Sequence, residues 1–245
     1  MTSNELFRLD KLVVDQELTS NRTEAEQLIK TYGVLVNGKL VNKPGKKFSS
    51  SIQIEKVVVN DTAISVRSVI LQKALATFSI AVQNKVALDI GAGKGGFTHV
   101  LLNSDIKKVY AVDKEEHLLS FHLRTDKVID LQKTHVRELT SAIINEEIDF
   151  CAVDVDNIQT NEVIPFIHAF LKPQSSVIVV IKPQFELPKK EVQKGVVKNV
   201  KLFPALIEHV KQQAALSNLI FQDYIESPIL GNNGNREFIM HFKKA

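Results

Sequence analysis

From Lys85 almost to the C-terminus, seven short apolar runs recur: Val86 to Ile90, Val109 to Val112, Val128 to Leu131, Phe150 to Val155, Val177 to Ile181, Phe221 to Ile225 and Phe238 to Phe242. Helical spacing fills the stretches between them. Strands that alternate with helices in this way predict an α/β fold, with a mostly parallel sheet covered by helices on both faces. The longest aliphatic stretch, Val177 to Ile181, is far short of the roughly 20 residues needed to cross a bilayer, so no membrane partner is expected.

The first run leads into Asp89-Ile-Gly-Ala-Gly-Lys-Gly-Gly-Phe97, a strand that enters a glycine-rich turn and then a helix. Glycines let a ligand approach the backbone, and the amides that open the helix favour anionic groups. Gly91, Gly93, Gly95 and Gly96 form the turn, Phe97 follows it, and Asp113 ends the next strand, where a carboxylate accepts hydrogen bonds from ribose hydroxyls. That much suits NAD as well as S-adenosyl-L-methionine. Asp89 separates them: a carboxylate inside the strand repels a pyrophosphate, whereas the ammonium and sulfonium of S-adenosylmethionine tolerate it. Asp-x-Gly-x-Gly-x-Gly-Phe also resembles the first motif of class I methyltransferases.

Residues 1 to 60 read as a separate unit. Leu6, Leu9, Leu12 and Val13 predict a first helix. A second is capped by Asn21 or Thr23, and Thr23 to Glu26 fits a capping box. Val34 to Val36, the Asn37-Gly38 turn and Lys39 to Val41 predict a hairpin, Pro44-Gly45 another turn, and Ser51 to Val57 a third strand. The boundary falls near the turn residues Asn60-Asp61-Thr62. Lys39, Lys43, Lys46, Lys47 and Lys56 face a single acid, Glu55, in a chain whose net charge is only +3. Arg8-Leu-Asp10, Asn21-Arg22, Ala25, Leu28-Ile29, Val36-Asn37-Gly38 and Lys43-Pro44-Gly45 resemble the ribosomal-protein S-four type RNA-binding domain. This α+β unit would set Arg8, Lys11, Arg22, Lys39, Lys43 and Lys46 against RNA phosphates.

Three later stretches stand out: Asp149 to Asp154, Val179 to Glu186 and Ser227 to Glu237. In a doubly wound sheet the carboxyl ends of strands face the ligand crevice, so Asp154 and Lys182 should converge beside the cofactor. Burial should lower the Lys182 pKa, leaving a neutral amine to orient or deprotonate a hydroxyl, tuned by Asp154 or Glu237. With Gly195-Val-Val197, these stretches resemble the TlyA-type, haemolysin-like family, an S-four type domain fused to an FtsJ-like ribosomal RNA 2′-O-methyltransferase.

The resemblance implies a class I (Rossmann-like) methyltransferase domain over residues 61 to 245 with a seven-stranded sheet. It also implies S-adenosyl-L-methionine as methyl donor, ribosomal RNA or ribosomal subunits as partner, and a cytidine 2′-hydroxyl as acceptor. Three members of the family's Lys-Asp-Lys-Glu tetrad match Asp154, Lys182 and Glu237. Ungapped alignment puts Ile70 on the first lysine, and Lys73, nearly one turn further, is expected to stand in for it, as Arg67 would for an absent arginine. Asp156-Asn157 replaces the usual Ser-Phe after Asp154, and Lys94 enters the cofactor loop.

The other readings are a catalytically impaired homologue acting as an RNA-binding or ribosome-associated protein, a haemolysin without an apolar span, and an NAD oxidoreductase. The chain has 245 residues, 44% hydrophobic and 24% charged, which excludes disordered, collagenous and low-complexity classes. Its start shows no secretory pattern, so a cytoplasmic location is expected. The single Cys151 reads as a small buried hydrophobe. Seven histidines lack ligand spacing, so no metal is assigned. Neither the target nucleotide, the ribosomal subunit nor the oligomeric state is written in the residues.

Overall fold

The structure, a computed structural model, describes residues 6–19, 21–31, 33–56, 62–116 and 119–245. Val57, the Asn60-Asp61 turn and His117 lie outside the described residues. The chain divides into two compact units, Met1–Asp61 and Thr62–Ala245.

In the first unit, strand β1 (Leu6–Arg8) runs into helix α1 (Leu9–Asp15), followed by α2 (Arg22–Thr31), the hairpin β2 (Val34–Val36) and β3 (Lys39–Val41), then β4 (Lys47–Ser49) and β5 (Ile54–Lys56). Leu9, Leu12 and Val13 of α1 and Ala25, Leu28 and Ile29 of α2 are buried where the two helices pack together, and β3-β2-β5 form a three-stranded sheet. Leu6 belongs to a strand and not to the expected first helix: it is exposed, and β1 pairs with β4 through Leu6↔Ser49 and Phe7↔Phe48. The cap of α2 also differs from the Thr23–Glu26 expectation. Asn21 Oδ1 accepts the Glu24 amide at 3.0 Å and Asn21 Nδ2 donates to Glu24 Oε1, while Glu26 turns to Lys30 and Arg8. Of the expected third strand, the described residues form Ile54–Lys56; before it, the Gln53 amide donates to Asn37 Oδ1 and the Gln53 carbonyl accepts the Asn37 amide.

The second unit opens with α3 (Thr62–Thr77) and continues through β6 (Val86–Ile90), α4 (Gly96–Asn103), β7 (Lys108–Val112), β8 (Val128–Leu131), β9 (Ile148–Val153), α5 (Ile164–Ile167), β10 (Leu171–Ile181), α6 (Pro183–Glu186), β11 (Val192–Gln193), β12 (Val196–Val197), α7 (Phe203–Ala215), β13 (Leu219–Glu226) and β14 (Phe238–Lys244). Seven strands form one sheet in the order β13-β14-β10-β9-β6-β7-β8. The five from β10 to β8 pair in parallel, and β14 is antiparallel to both its neighbours. This is the expected Rossmann-like methyltransferase architecture.

Side chains alternate between faces, so each strand feeds two cores. Leu88, Val112, Val153, Val179 and Met240 meet Ile164, Leu206 and Val210 on one side. Ala87, Val109, Phe150, Ile178 and Ile239 meet Ile70, Leu71 and Leu101 on the other. Each buried Val, Leu, Ile, Met or Phe side chain among them contributes about 1.5–3 kcal/mol. Cys151 on β9 is fully buried, and burial raises its thiol far above the reactive range. The strands wind outward from β6 to β8 and then return to β9 on the other flank of β6. The switch point, where ligands bind in such sheets, therefore lies between the carboxyl ends of β6 and β9. Among the described residues no helix is long and apolar enough to cross a membrane.

Candidate active site

At the end of β6 the backbone turns sharply. The Gly91 and Ala92 amides both donate to the Val112 carbonyl, and the Asp154 amide donates to Ile90 at 2.9 Å, which ties the tips of β6, β7 and β9 together. Gly91 has φ +79°, and a Cβ there would stand 2.4 Å from the Asp154 carbonyl oxygen, so the turn accepts no side chain. Asp113 receives the Gly93 amide on one carboxylate oxygen and the Glu115 amide on the other, each at 2.8 Å. Gly95 is the residue before α4, Gly96 its first residue, and Phe97 is buried behind them. Lys94 is exposed at the rim.

Two adjoining cavities open around this turn. One, about 520 Å³, runs past Gly91, Asp113, His135 and Val155. The other, about 480 Å³, is bounded by Arg67, Asp89, Phe97, Asp154, Lys182 and Glu237. Both are of small-molecule size. Asp89 is fully buried: its Oδ2 accepts from Thr98 Oγ1 at 2.7 Å, and its Oδ1 has no hydrogen-bond partner among the described residues. Burial pushes this carboxyl up to about 7, the Thr98 bond opposing and the nearby Asp154 and Asp113 charges adding to it. An orphaned buried carboxylate oxygen beside a glycine cradle suits a ligand that presents an ammonium group, and it disfavours a pyrophosphate.

Asp154, Lys182 and Glu237, placed together by the sequence, do meet. Asp154 follows β9 and Lys182 follows β10. Glu237 precedes β14, whose antiparallel course brings its start to the same edge, with Ile181 opposite Phe238. Lys182 Nζ lies 2.8 Å from Asp154 Oδ1 and 2.6 Å from Asp156 Oδ1. Arg67 enters from α3, with Nε 2.8 Å from Asp154 Oδ2, Nη2 2.5 Å from Asp154 Oδ1 and Nη1 3.0 Å from Glu237 Oε2. Three carboxylates thus meet two cations.

The structure corrects two expectations here. Burial alone would lower Lys182, but the Asp154 carboxylate, with hydrogen bonds to Asp154 and Asp156, outweighs burial and the repulsion from Arg67, so its pKa is raised and the amine is an ammonium at neutral pH. Lys73 is exposed, and it is Arg67 that reaches the cluster from α3; Ile70 faces the core at 0% exposure. Arg67 and Asp156 carry the interactions that the sequence reading gave to Lys73 and left unassigned. A cation at the start of a helix aimed at acids 87 and 170 positions away leaves no periodic signal.

The motif residues around the cluster hold it in place. Asn235 receives the Val197 amide at 3.1 Å and donates to the Gly195 carbonyl at 2.7 Å, joining the Ser227–Glu237 loop to the Gly195-Val-Val197 segment. Glu186 is half-buried and accepts from the Thr160 amide and hydroxyl. Burial raises its pKa in spite of those bonds.

In the first unit, Arg8 and Arg22 are spoken for. Both reach the fully buried Asp10, Arg8 Nη2 at 2.5 Å and Arg22 Nη2 at 3.3 Å. Burial opposes ionisation of Asp10, and the two arginines overcome it, lowering its pKa. Lys39 and Lys43 are exposed, while Lys11 and Lys46 lie over the Phe7 and Phe48 rings at 4.5 and 5.3 Å. The accessible basic surface is shared by these lysines and by the exposed Arg8 and Arg22, whose guanidiniums are oriented by Asp10.

The mostly parallel sheet with its antiparallel β14, the glycine turn and the paired cavities define a class I methyltransferase fold. Residues 68–244 match the FtsJ-like methyltransferase family and residues 7–51 the S4 domain. The chain belongs to the FtsJ-like methyltransferase family and carries an S4 domain before the enzyme domain. It is 34% identical over 244 residues to hemolysin A of Brachyspira hyodysenteriae, covering 96% of this chain and 99% of the relative. It is 30% identical over 236 residues to the 16S/23S rRNA (cytidine-2'-O)-methyltransferase TlyA of Mycobacterium tuberculosis, covering 95% and 88%. A solved structure from Streptococcus thermophilus, provisionally named a hemolysin, superposes with a TM-score of 0.73 at 29% identity, covering 99% of this chain and 90% of that one.

Proposed function

We propose that this protein methylates a ribose 2′-hydroxyl of ribosomal RNA, that of a cytidine, with S-adenosylmethionine as donor, in the cytoplasm where ribosomes are made. The observation that carries the reading is Lys182 Nζ, held between Asp154 and Asp156 in the cavity that also contains the orphaned Asp89 oxygen. Methyltransferases named for cytidine 2′-O-methylation in Mycobacterium tuberculosis and Campylobacter jejuni support the acceptor.

Gly91 and Gly93 would cradle the donor, Asp113 its ribose and Asp89 its ammonium group. S-adenosylmethionine, when bound, supplies an electrophilic methyl on a sulfonium. Lys182, as an ammonium, donates to the attacking ribose oxygen, fixes its direction and stabilises the charge that grows on it. The hydroxyl proton passes to Glu237, whose carboxyl burial pushes up despite the opposing Arg67 and Lys182 charges. The lysines of the S4 domain grip RNA phosphates, which favours shape and backbone over sequence.

A second reading, an RNA-binding homologue without turnover, draws on Ile70 at the family's lysine position and on the exposed Lys73. Mapping ribose methylation on ribosomal RNA from cells with and without the gene separates the two. The first reading predicts at least one 2′-O-methyl mark that disappears with the gene; an unchanged map favours the second.

A further inference from the structure

Arg67 uses each of its three guanidinium nitrogens on two carboxylates: Nε and Nη2 on Asp154, Nη1 on Glu237. Its side chain is 28% exposed and that of Glu237 is 2% exposed, so the pairing takes place largely out of water. A guanidinium committed in this way has every nitrogen on a carboxylate and four of its five N–H donors engaged, so its planar fork is spent on the acids. It also stays charged through any catalytic cycle, its pKa raised by both carboxylates against the effect of burial. The cations of α3 are Arg67 and Lys73, and Lys73 is exposed.

We propose that Arg67 is a positioning residue of the methyl-transfer site: its guanidinium clamps Asp154 to Glu237, so that Lys182 and the proton-accepting carboxylate are held on either side of one substrate oxygen. The proposal rests on the reading of this cavity as a 2′-O-methyltransferase site. Asp154 comes from the end of β9 and Glu237 from the loop before β14, with β10 between them in the sheet. The Arg67 fork is a rigid bridge across that gap. A lysine at 67 would keep the charge and lose the fork, so it could serve one carboxylate well and not both.

The clamp also sets the charge around Lys182. Asp154 and Asp156 contact its ammonium and hold its proton, Glu237 adds a negative charge nearby, and the Arg67 cation pushes the proton off. Asp89 and Lys94 border the same cavity. Removing Arg67 should therefore make Lys182 hold its proton more tightly, an effect that simple loss of packing does not produce.

The test compares full-length wild type, Arg67→Lys and Arg67→Ala. One arm follows tritiated methyl transfer from S-adenosylmethionine to ribosomal RNA and to ribosomal subunits from cells lacking the gene. The other follows the Lys182 ammonium by NMR with 15N-labelled lysine, assigned with Lys182→Arg. The proposal expects Arg67→Ala to lose ~100-fold in kcat, the scale of an approximately 1 Å misplacement, with little change in KM for the donor. Sub-denaturing guanidinium should restore part of that rate, and Arg67→Lys should fall in between. Lys182 should titrate at higher pH in Arg67→Ala and near the wild-type value in Arg67→Lys. Wild-type kcat in Arg67→Ala, or a loss without guanidinium rescue together with an unmoved Lys182 titration, overturns it. If wild type transfers no methyl to RNA, the proposed function fails, and the Lys182 titration still decides the clamp.

Discussion

A Cβ built on Gly231 would stand 1.9 Å from Glu237 Oε1. Gly231 has φ −78°, so backbone freedom is not what requires glycine here; the requirement is room for the acid. Because Gly231 also donates to the Asn235 carbonyl at 2.8 Å, the loop is fixed on both sides of the contact. Gly231→Ala should displace Glu237, lowering kcat by at least ~10-fold while destabilising the fold by about 1–3 kcal/mol, the usual range for overpacking. Steady-state rates together with thermal melting check this. An alanine variant with the wild-type rate would mean that Glu237 does not need its observed place.

Gly91→Ala meets a harder obstacle, since the added methyl would press on the Asp154 backbone from a left-handed conformation. The β6 and β9 tips must then separate, and both cavities share this wall. Calorimetric titration with S-adenosylmethionine should show donor affinity falling at least ~10-fold, about 1.4 kcal/mol, with a lowered melting temperature. Unchanged affinity would place the donor elsewhere.

Asp89 predicts a pH dependence whose sign can be worked through. Its carboxyl is pushed up to about 7 by burial, so in the free protein it holds a proton that the unfolded chain has already released. Its contribution to stability is complete below the unfolded carboxyl range and is lost as pH rises through about 7. An ammonium ligand needs the ionised form, so donor affinity should run the other way and weaken as the pH drops below about 7. Asp89→Asn should remove both trends, stabilising the free protein at alkaline pH and weakening the donor there. Calorimetry and melting across this range test the pair; a pH-independent affinity in wild type contradicts it.

Asp10 separates structure from RNA contact in the first unit. Replacing it with alanine leaves Arg8 and Arg22 without their buried partner and should cost about 2 kcal/mol, below the ~3–5 kcal/mol of a fully buried pair because both arginines rehydrate. The folded Asp10 carboxyl is depressed, so this stabilisation is present above the unfolded carboxyl range and is lost as pH falls through the folded value. Lys39→Ala and Lys43→Ala should leave stability unchanged, and each should lower the slope of log affinity for ribosomal RNA against log salt by about 1. If neither lysine alters the slope, RNA lies on another surface.

Much of the architecture is legible in the sequence because β6, the end of β9 and the end of β10 are buried on both faces and appear as apolar runs, interrupted in β6 by Asp89. Asp154 and Lys182 were legible for the same reason, each standing at the end of such a run. Arg67 was visible only as a residue near a missing motif, since its partners are distant in sequence and chosen by tertiary packing. Strands β1 and β4, three residues each, are too short to show a period. Against the effect of burial, the ammonium state of Lys182 comes chiefly from the Asp154 charge, helped by hydrogen bonds to Asp154 and Asp156, and an apolar run shows the burial of Lys182 without showing how close those carboxylates stand.

The most direct test is the chemical identity of the methylated nucleoside. Ribosomal RNA treated with the full-length protein and S-adenosylmethionine, digested and analysed by mass spectrometry, should yield 2′-O-methylcytidine with wild type and none above background with Lys182→Ala. Methyl found on a base, or equal ribose methylation by Lys182→Ala, would contradict the account of Lys182 as the group that holds the ribose oxygen.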